Sequence, residues 1–128
     1  MTVATSLYTF LSGNGTITAI TTAIHPQVLP QEVAFPALTY TMDADDDDYL
    51  LSGSASGLKE ALFSIDCYSP SYVTAHTLAD AVRGELIGVT GTFGAVTADH
   101  IRKEREFDLF EPPTELHRVS MEFFVAYC

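Results

Sequence analysis

Basic residues are scarce in this chain. Six Lys and Arg stand against 17 Asp and Glu, giving a formal charge of −11. A surface of that sign repels a phosphate backbone at long range, which argues against sequence-nonspecific DNA binding through a positive face, and the low Lys and Arg count argues against sequence-specific binding as well. Cysteine is limited to Cys67 and Cys128. No CxxC pair exists, so neither a zinc site nor dithiol redox chemistry is suggested. Cys67 lies in an apolar stretch and reads as a small core residue, and nothing demands a disulfide between the two. No apolar run reaches the roughly 20 residues of a membrane-spanning helix, so no membrane partner is expected. Met1 to Leu11 has no basic start and no long apolar stretch. It does not read as a signal peptide, and the expectation is folding in the cytoplasm.

What is present suits one domain over residues 1–128. The length is ordinary for a single core. An apolar fraction of 47%, with eight Phe and six Tyr, supplies enough large side chains to pack one.

The chain opens with a short helix, in which Val3, Leu7, Phe10 and Leu11 recur at helical spacing. Ser12-Gly13-Asn14-Gly15 ends it, because Gly and Asn tolerate the left-handed conformation of a helix stop. Thr16 to Ile20 adds one turn. His25-Pro26 and Leu29-Pro30 impose extended geometry and mark a connector. Phe35-Pro36 leads into a first strand, Ala37 to Met42, with Leu38, Tyr40 and Met42 on one face. The run Asp43-Ala44-Asp45-Asp46-Asp47-Asp48 and the small residues that follow, 43–57 in all, read as an acidic, exposed, flexible loop or as the tip of a long hairpin.

A second strand covers about 59–68. Ser69-Pro70 signals a helix start, with serine as cap and proline in the first turn. Tyr72, Ala75, Leu78, Ala79, Val82 and Leu86 then form one apolar face. Gly88 and Gly91 to Gly94 mark a turn. A long strand, about 96–107, is polar on both faces, which suggests an edge or a protruding ribbon. Glu111 to Glu115 breaks the chain. The last strand, about 116–127, carries the most apolar alternating set: Val119, Met121, Phe123, Val125 and Tyr127. The expected fold is α+β, in the order α-β-β-α-β-β, with one antiparallel or mixed sheet and helices on one face.

The chemistry of a catalytic or cofactor site is missing. No HExxH, GxSxG or P-loop occurs. Sequence gives no acid or nucleophile paired with His25, His76, His100 or His117. The expectation is a protein that is not an enzyme and holds no cofactor. Asp45 to Asp48 offer hard oxygens to calcium or magnesium. They lack the glycine and distant glutamate of a calcium loop, so a solvated loop, or one that meets a basic partner, is the better reading. Arg102, Lys103, Arg105 and Arg118 lie among Glu104, Glu106 and Glu122. This mixture suits cross-strand ion pairs or a charge-matched contact with a neighbouring copy. The candidate interface is therefore Asp45, Asp46, Asp47, Asp48, Arg102, Lys103, Glu104, Arg105, Glu106 and Arg118.

The order of these segments is similar to a known family. Leu7-Tyr8 and Phe10-Leu11 lie in the first helix. Ile24-His25-Pro26, Leu29-Pro30-Gln31 and Phe35 to Tyr40 form a proline-bounded approach to the first strand. Phe63 to Tyr68 precede the helix with Ala75, Leu78, Ala79 and Val82. Glu106 to Pro112 run into Leu116 to Phe123 as a closing hairpin. From about residue 4 to 127 the chain resembles the small phage tail-completion proteins, also called tail terminators or head-tail joining proteins, many of them prophage-encoded. It departs from their pattern at Ala23, where a basic residue is common, and in the strong acidity of its aspartate run. The resemblance implies a virion protein at the head-proximal end of the tail, assembled in the host cytoplasm. It implies a ring of copies, six in number, that ends tube polymerisation and docks on the head. Its partners would be itself, the tail tube protein and a head-completion or connector protein, with DNA passing through the ring; the alternatives are another head-tail connector or minor tail subunit, and then a small ligand-binding α+β module.

Overall fold

The computed structural model describes residues 3–49, 55–94 and 96–127; for 45–49 and 55–58 it describes the backbone. In chain order the elements are α1 (Val3–Gly13), α2 (Gly15–Thr18), β1 (Ile24–Pro26), β2 (Ala37–Tyr49), β3 (Ala55–Ser69), α3 (Tyr72–Leu86), β4 (Gly91–Phe93), β5 (Val96–Glu111) and β6 (Leu116–Tyr127). The strands form one sheet in the order β1-β2-β3-β6-β5-β4. All neighbours are antiparallel except β1 and β2, which run parallel with Ile24 opposite Leu38. The fold is α+β, with a mixed sheet and helices on one face. The expected order α-β-β-α-β-β holds for the long elements. It lacked α2 as a separate helix and the two three-residue edge strands β1 and β4.

The core follows from alternation. Along β6, Val119, Met121, Phe123, Val125 and Tyr127 are buried, as their period of two requires. They pair across β3 with Cys67, Ile65, Phe63, Ala61 and Lys59. Ala75, Leu78, Ala79, Val82 and Leu86 of α3 are buried and pack with this face in one cluster, which also takes in Val3, Leu7 and Leu11 of α1. Phe10 packs at the cluster's margin, its ring 5.3 Å from that of Phe93. The apolar face of β2 fades along its length: Leu38 is buried, Tyr40 half-buried and Met42 exposed. The strand thus runs out beyond the cover of the helices.

Local capping differs from the sequence reading at two places. Asn14 has φ −88° and does not adopt the left-handed stop; its side chain accepts from the N–H groups of Thr16 (3.0 Å) and Ile17 (3.2 Å) and so caps α2. It also donates to Glu85 Oε1 at 2.9 Å, tying the α1–α2 junction to α3. The cap of α3 is Ser71, whose Oγ accepts from Thr74 N–H. Ser69 was the expected cap, but it still belongs to β3, paired with His117, and its Oγ accepts from the N–H of Ser71. Tyr72, counted in the apolar stripe, is exposed instead.

The acidic segment is strand over much of its length. Asp45 lies opposite Ala61, Asp46 opposite Glu60 and Asp47 opposite Lys59 in the β2–β3 ladder. The loop expected over 43–57 is thus corrected for 43–49 and 55–57, and the long-hairpin alternative describes them. Residues 50–54 lie outside the described residues. The partner strand decides this: β3 pairs on through the acidic stretch, where charge alone suggested a loop. The segment around Gly91 is likewise a strand, β4, returning onto β5 through Gly94. Gly94 has φ +60°, and a Cβ there would stand 2.6 Å from Ser6 Cα, so only glycine lets this turn rest on α1.

Candidate assembly surface

The closing hairpin carries most of the chain's basic residues. A four-residue turn, with Thr114 N–H donating to Glu111 O at 3.2 Å, joins β5 to β6. The register then sends β5 side chains alternately to the helix side and to the open side of the sheet. On the helix side Lys103 Nζ is 3.3 Å from Glu106 Oε1, and Arg83 of α3 reaches the same oxygen at 2.8 Å. Hydrogen bonds from Arg83 to Glu106 and to Asp80 raise the pKa of its guanidinium. On the open side Arg102 Nε meets Glu104 Oε1 at 2.8 Å, with its guanidinium 4.1 Å from the centre of the Phe124 ring. Arg105 Nε meets Glu122 Oε2 at 2.6 Å.

Of these pairs Arg105–Glu122 is the cross-strand kind that the charge mixture suggested; Arg102–Glu104 and Lys103–Glu106 lie within β5, and Arg83–Glu106 joins α3 to β5. Surface pairs of this kind contribute about 0–1 kcal/mol each. Arg102 and Arg105 keep 56% and 66% of their side-chain surface exposed, so both remain accessible. Arg118 does not join them. It lies toward the turn, 3.5 Å from Glu111 Oε1 and 3.4 Å from the hydroxyl of Tyr68, and its Nε is buried without a partner among the described residues. The sequence-predicted basic set is thus split. Arg102, Glu104 and Arg105 gather on the open face, Lys103 and Glu106 turn to α3, and Arg118 stands apart. The side chains of Asp45 to Asp48 lie outside the described residues.

Two features escaped the sequence. One is a cavity of about 430 Å³ on the open face, lined by Ala44, Glu60, Leu62, Glu104, Glu122 and Phe124 among others. It forms because four strands, β2, β3, β5 and β6, bring small, aliphatic and acidic side chains beside one aromatic. No spacing within one strand announces it. The other is a cluster near the hairpin turn. Asp108 accepts from the Tyr72 hydroxyl at 2.8 Å and lies 2.8 Å from His76 Nε2, while His117 packs between Tyr72 and Phe110. The hydrogen bond to Asp108 raises the Tyr72 pKa. The spacing of Tyr72 and His76 places them together on a helix face, but Asp108 joins them only through the fold.

No reactive constellation emerges from these groups. Among the described residues, no group of three His, Cys, Asp or Glu is arranged to hold a metal ion. Cys67 is buried, and its burial pushes the thiol pKa up, away from the nucleophilic thiolate. Among the described residues, no helix is long and apolar enough to cross a membrane. What the surface offers is charge, strand edges and an open sheet face.

Comparison with known proteins gives this surface its context. A chain from the virion of a native gene transfer agent particle has the same fold, with a TM-score of 0.73 at 18% identity, over 94% of this chain and 90% of that one. No curated protein matches the chain. The model of the family described as "Tail completion protein gp17" matches residues 5–127. The chain belongs to this family of phage tail-completion proteins, virion structural proteins rather than enzymes.

Proposed function

We propose that this protein closes the head-proximal end of a phage tail tube as a ring of six copies. The ring ends tube polymerisation and presents the surface on which the filled head docks. Its partners in this reading are further copies of itself, the tail tube protein and a head-completion or connector protein. Assembly takes place in the host cytoplasm and leaves the protein in the virion. The observation that carries the reading is the family match across residues 5–127, and the fold shared with a virion chain of a gene transfer agent particle supports it.

The physical character of the chain agrees with such a role. A capping ring breaks no bond; it works by shape, symmetry and timing. A net charge of −11 suits a passage through which DNA slides without being gripped, because like charges reduce sticking. Deleting the gene from its phage and measuring tail lengths tests the proposal. Tubes that overrun their normal length and fail to join heads are the expected result. Tails of normal length that carry heads would overturn it.

A further inference from the structure

Both outer edges of the sheet are left open over part of their length, and the open parts overlap where 41–44 of β2 are level with 102–105 of β5. β1 covers β2 only as far as Tyr40, whose carbonyl accepts from Gln27 N–H at 3.0 Å. Beyond it, from Thr41 to Tyr49, no described strand pairs with the outer side of β2. At the opposite side of the sheet β4 covers β5 only at 96–98, and Gly88 N–H takes the carbonyl of Ile101. From Arg102 to Glu111 no described strand pairs with the outer side of β5. Each free edge is about 30 Å long at the rise of an extended strand. Unpaired edges of that length are sites for strand addition unless something covers or blunts them.

The two edges also differ in charge. The free part of β2 contains Asp43 and Asp45 to Asp48, with no basic residue. The free part of β5 is mixed: it begins with Arg102, Lys103 and Arg105, half of the six Lys and Arg in the chain, interleaved with Glu104 and followed by Glu106, Asp108 and Glu111. The ladders bring the two groups close in height, Ala44 level with Arg102 through Leu62 and Phe124, so that Asp45 to Asp47 lie level with residues 98–101 of β5, next to its basic run. Strand direction suits them as well. β2 and β6 run one way, β3 and β5 the other. Where copies are related by rotation about an axis near the strand direction, β2 of one copy meets β5 of the next antiparallel. Two different patches meeting in this way make a heterologous joint, the kind that closes a ring.

We infer that neighbouring copies join edge to edge, with the acidic stretch 43–49 of β2 adding as an antiparallel strand to the basic stretch 102–105 of β5 on the next copy. The inference rests on the ring proposed above. Backbone hydrogen bonds hold the joint, opposite charges set its register, and a stagger of a few residues brings Asp45 to Asp48 against Arg102 and Arg105. The joint also covers both edges, which would otherwise invite uncontrolled pairing.

Cysteine pairs test this in the full chain, with Cys128→Ser removing the terminal thiol. One cysteine is placed at 44–48 and one at 102–105, and mild oxidation is applied to the protein alone and on purified tail tubes, while electron microscopy scores rings. Covalent ladders should form for pairs in which a forward step on β2 matches a backward step on β5. Arg102→Glu with Arg105→Glu should weaken association about a hundredfold, since like charges facing each other across an interface cost several kcal/mol. Reversing Asp45 to Asp48 to Lys in the same chain should restore it. Rings that form normally while no pair cross-links would overturn the edge joint and leave the ring standing. A wild-type chain that forms no ring, alone or on tubes, would overturn both.

Discussion

Two phenylalanines on the same hairpin separate core from surface. Phe123 is 1% exposed and lies mid-strand in β6, opposite Phe63 of β3 and Lys103 of β5. Phe107 is 38% exposed on β5, opposite Ser120. Removing a buried phenyl ring loses its transfer free energy and leaves a cavity; typical costs are about 3–5 kcal/mol. At Phe123 the hole has little room to collapse, because β6 is laddered to β3 on one side and β5 on the other, so about 4 kcal/mol is expected for Phe123→Ala. With an unfolding entropy of about 2.1 cal/mol/K per residue, 128 residues give about 0.27 kcal/mol/K, and the melting midpoint should fall by about 15 °C. Phe107→Ala, relieving a ring that already meets solvent, should move it by less than about 4 °C. Thermal and urea melts of the three proteins at one concentration make the comparison. Equal losses from the two substitutions would refute the assignment of the helix-covered face as the core.

Other perturbations read other parts of the fold. Gly94→Ala should cost at least about 2 kcal/mol in urea unfolding, because the added Cβ meets the backbone of α1 and the residue has positive φ. Changing Asp45 to Asp48 to Asn should leave the midpoint within about 3 °C, since removing four adjacent like charges relieves their mutual repulsion; a larger fall would show these carboxylates to be structural. In a Cys128→Ser chain, Cys67 should react with a thiol reagent only on unfolding. Its raised pKa also has a linkage sign. Stability from the neutral buried thiol is full below the unfolded thiol value of about 8.5 and falls above it, by about 2 kcal/mol at pH 10. Cys67→Ala should lack that component of the alkaline loss, which pH-dependent urea melts would reveal.

Sequence alone conveyed the parts of the fold in which local pattern and burial agree. The period of two in Val119 to Tyr127 fixed the core face of β6, and the stripe from Ala75 to Leu86 fixed that of α3, because each element must bury one face. The break at Pro112-Pro113 placed the closing hairpin. The lost elements owe their existence to neighbours. β1 and β4 are three residues each and become strands only by pairing with β2 and β5. The aspartate run, which charge marks as a loop, is drawn into the sheet by β3. Ser71 displaced Ser69 as a cap because Ser69 was already held in a ladder. At the candidate surface the charged residues were visible in the sequence, but their partition between the two faces of β5 was not. It depends on irregularities in register, between Ala98 and His100 and between Lys103 and Arg105, each of which changes which side chains face α3.

The proposed role of this chain is to cap a tail tube. Electron microscopy of the purified protein mixed with purified tail tube protein, with the mass of the complex measured alongside, tests it most directly. The expected result is a sixfold ring seated on one end of each tube, and tubes that no longer grow from that end. A protein that stays monomeric and leaves both ends bare and growing would contradict it.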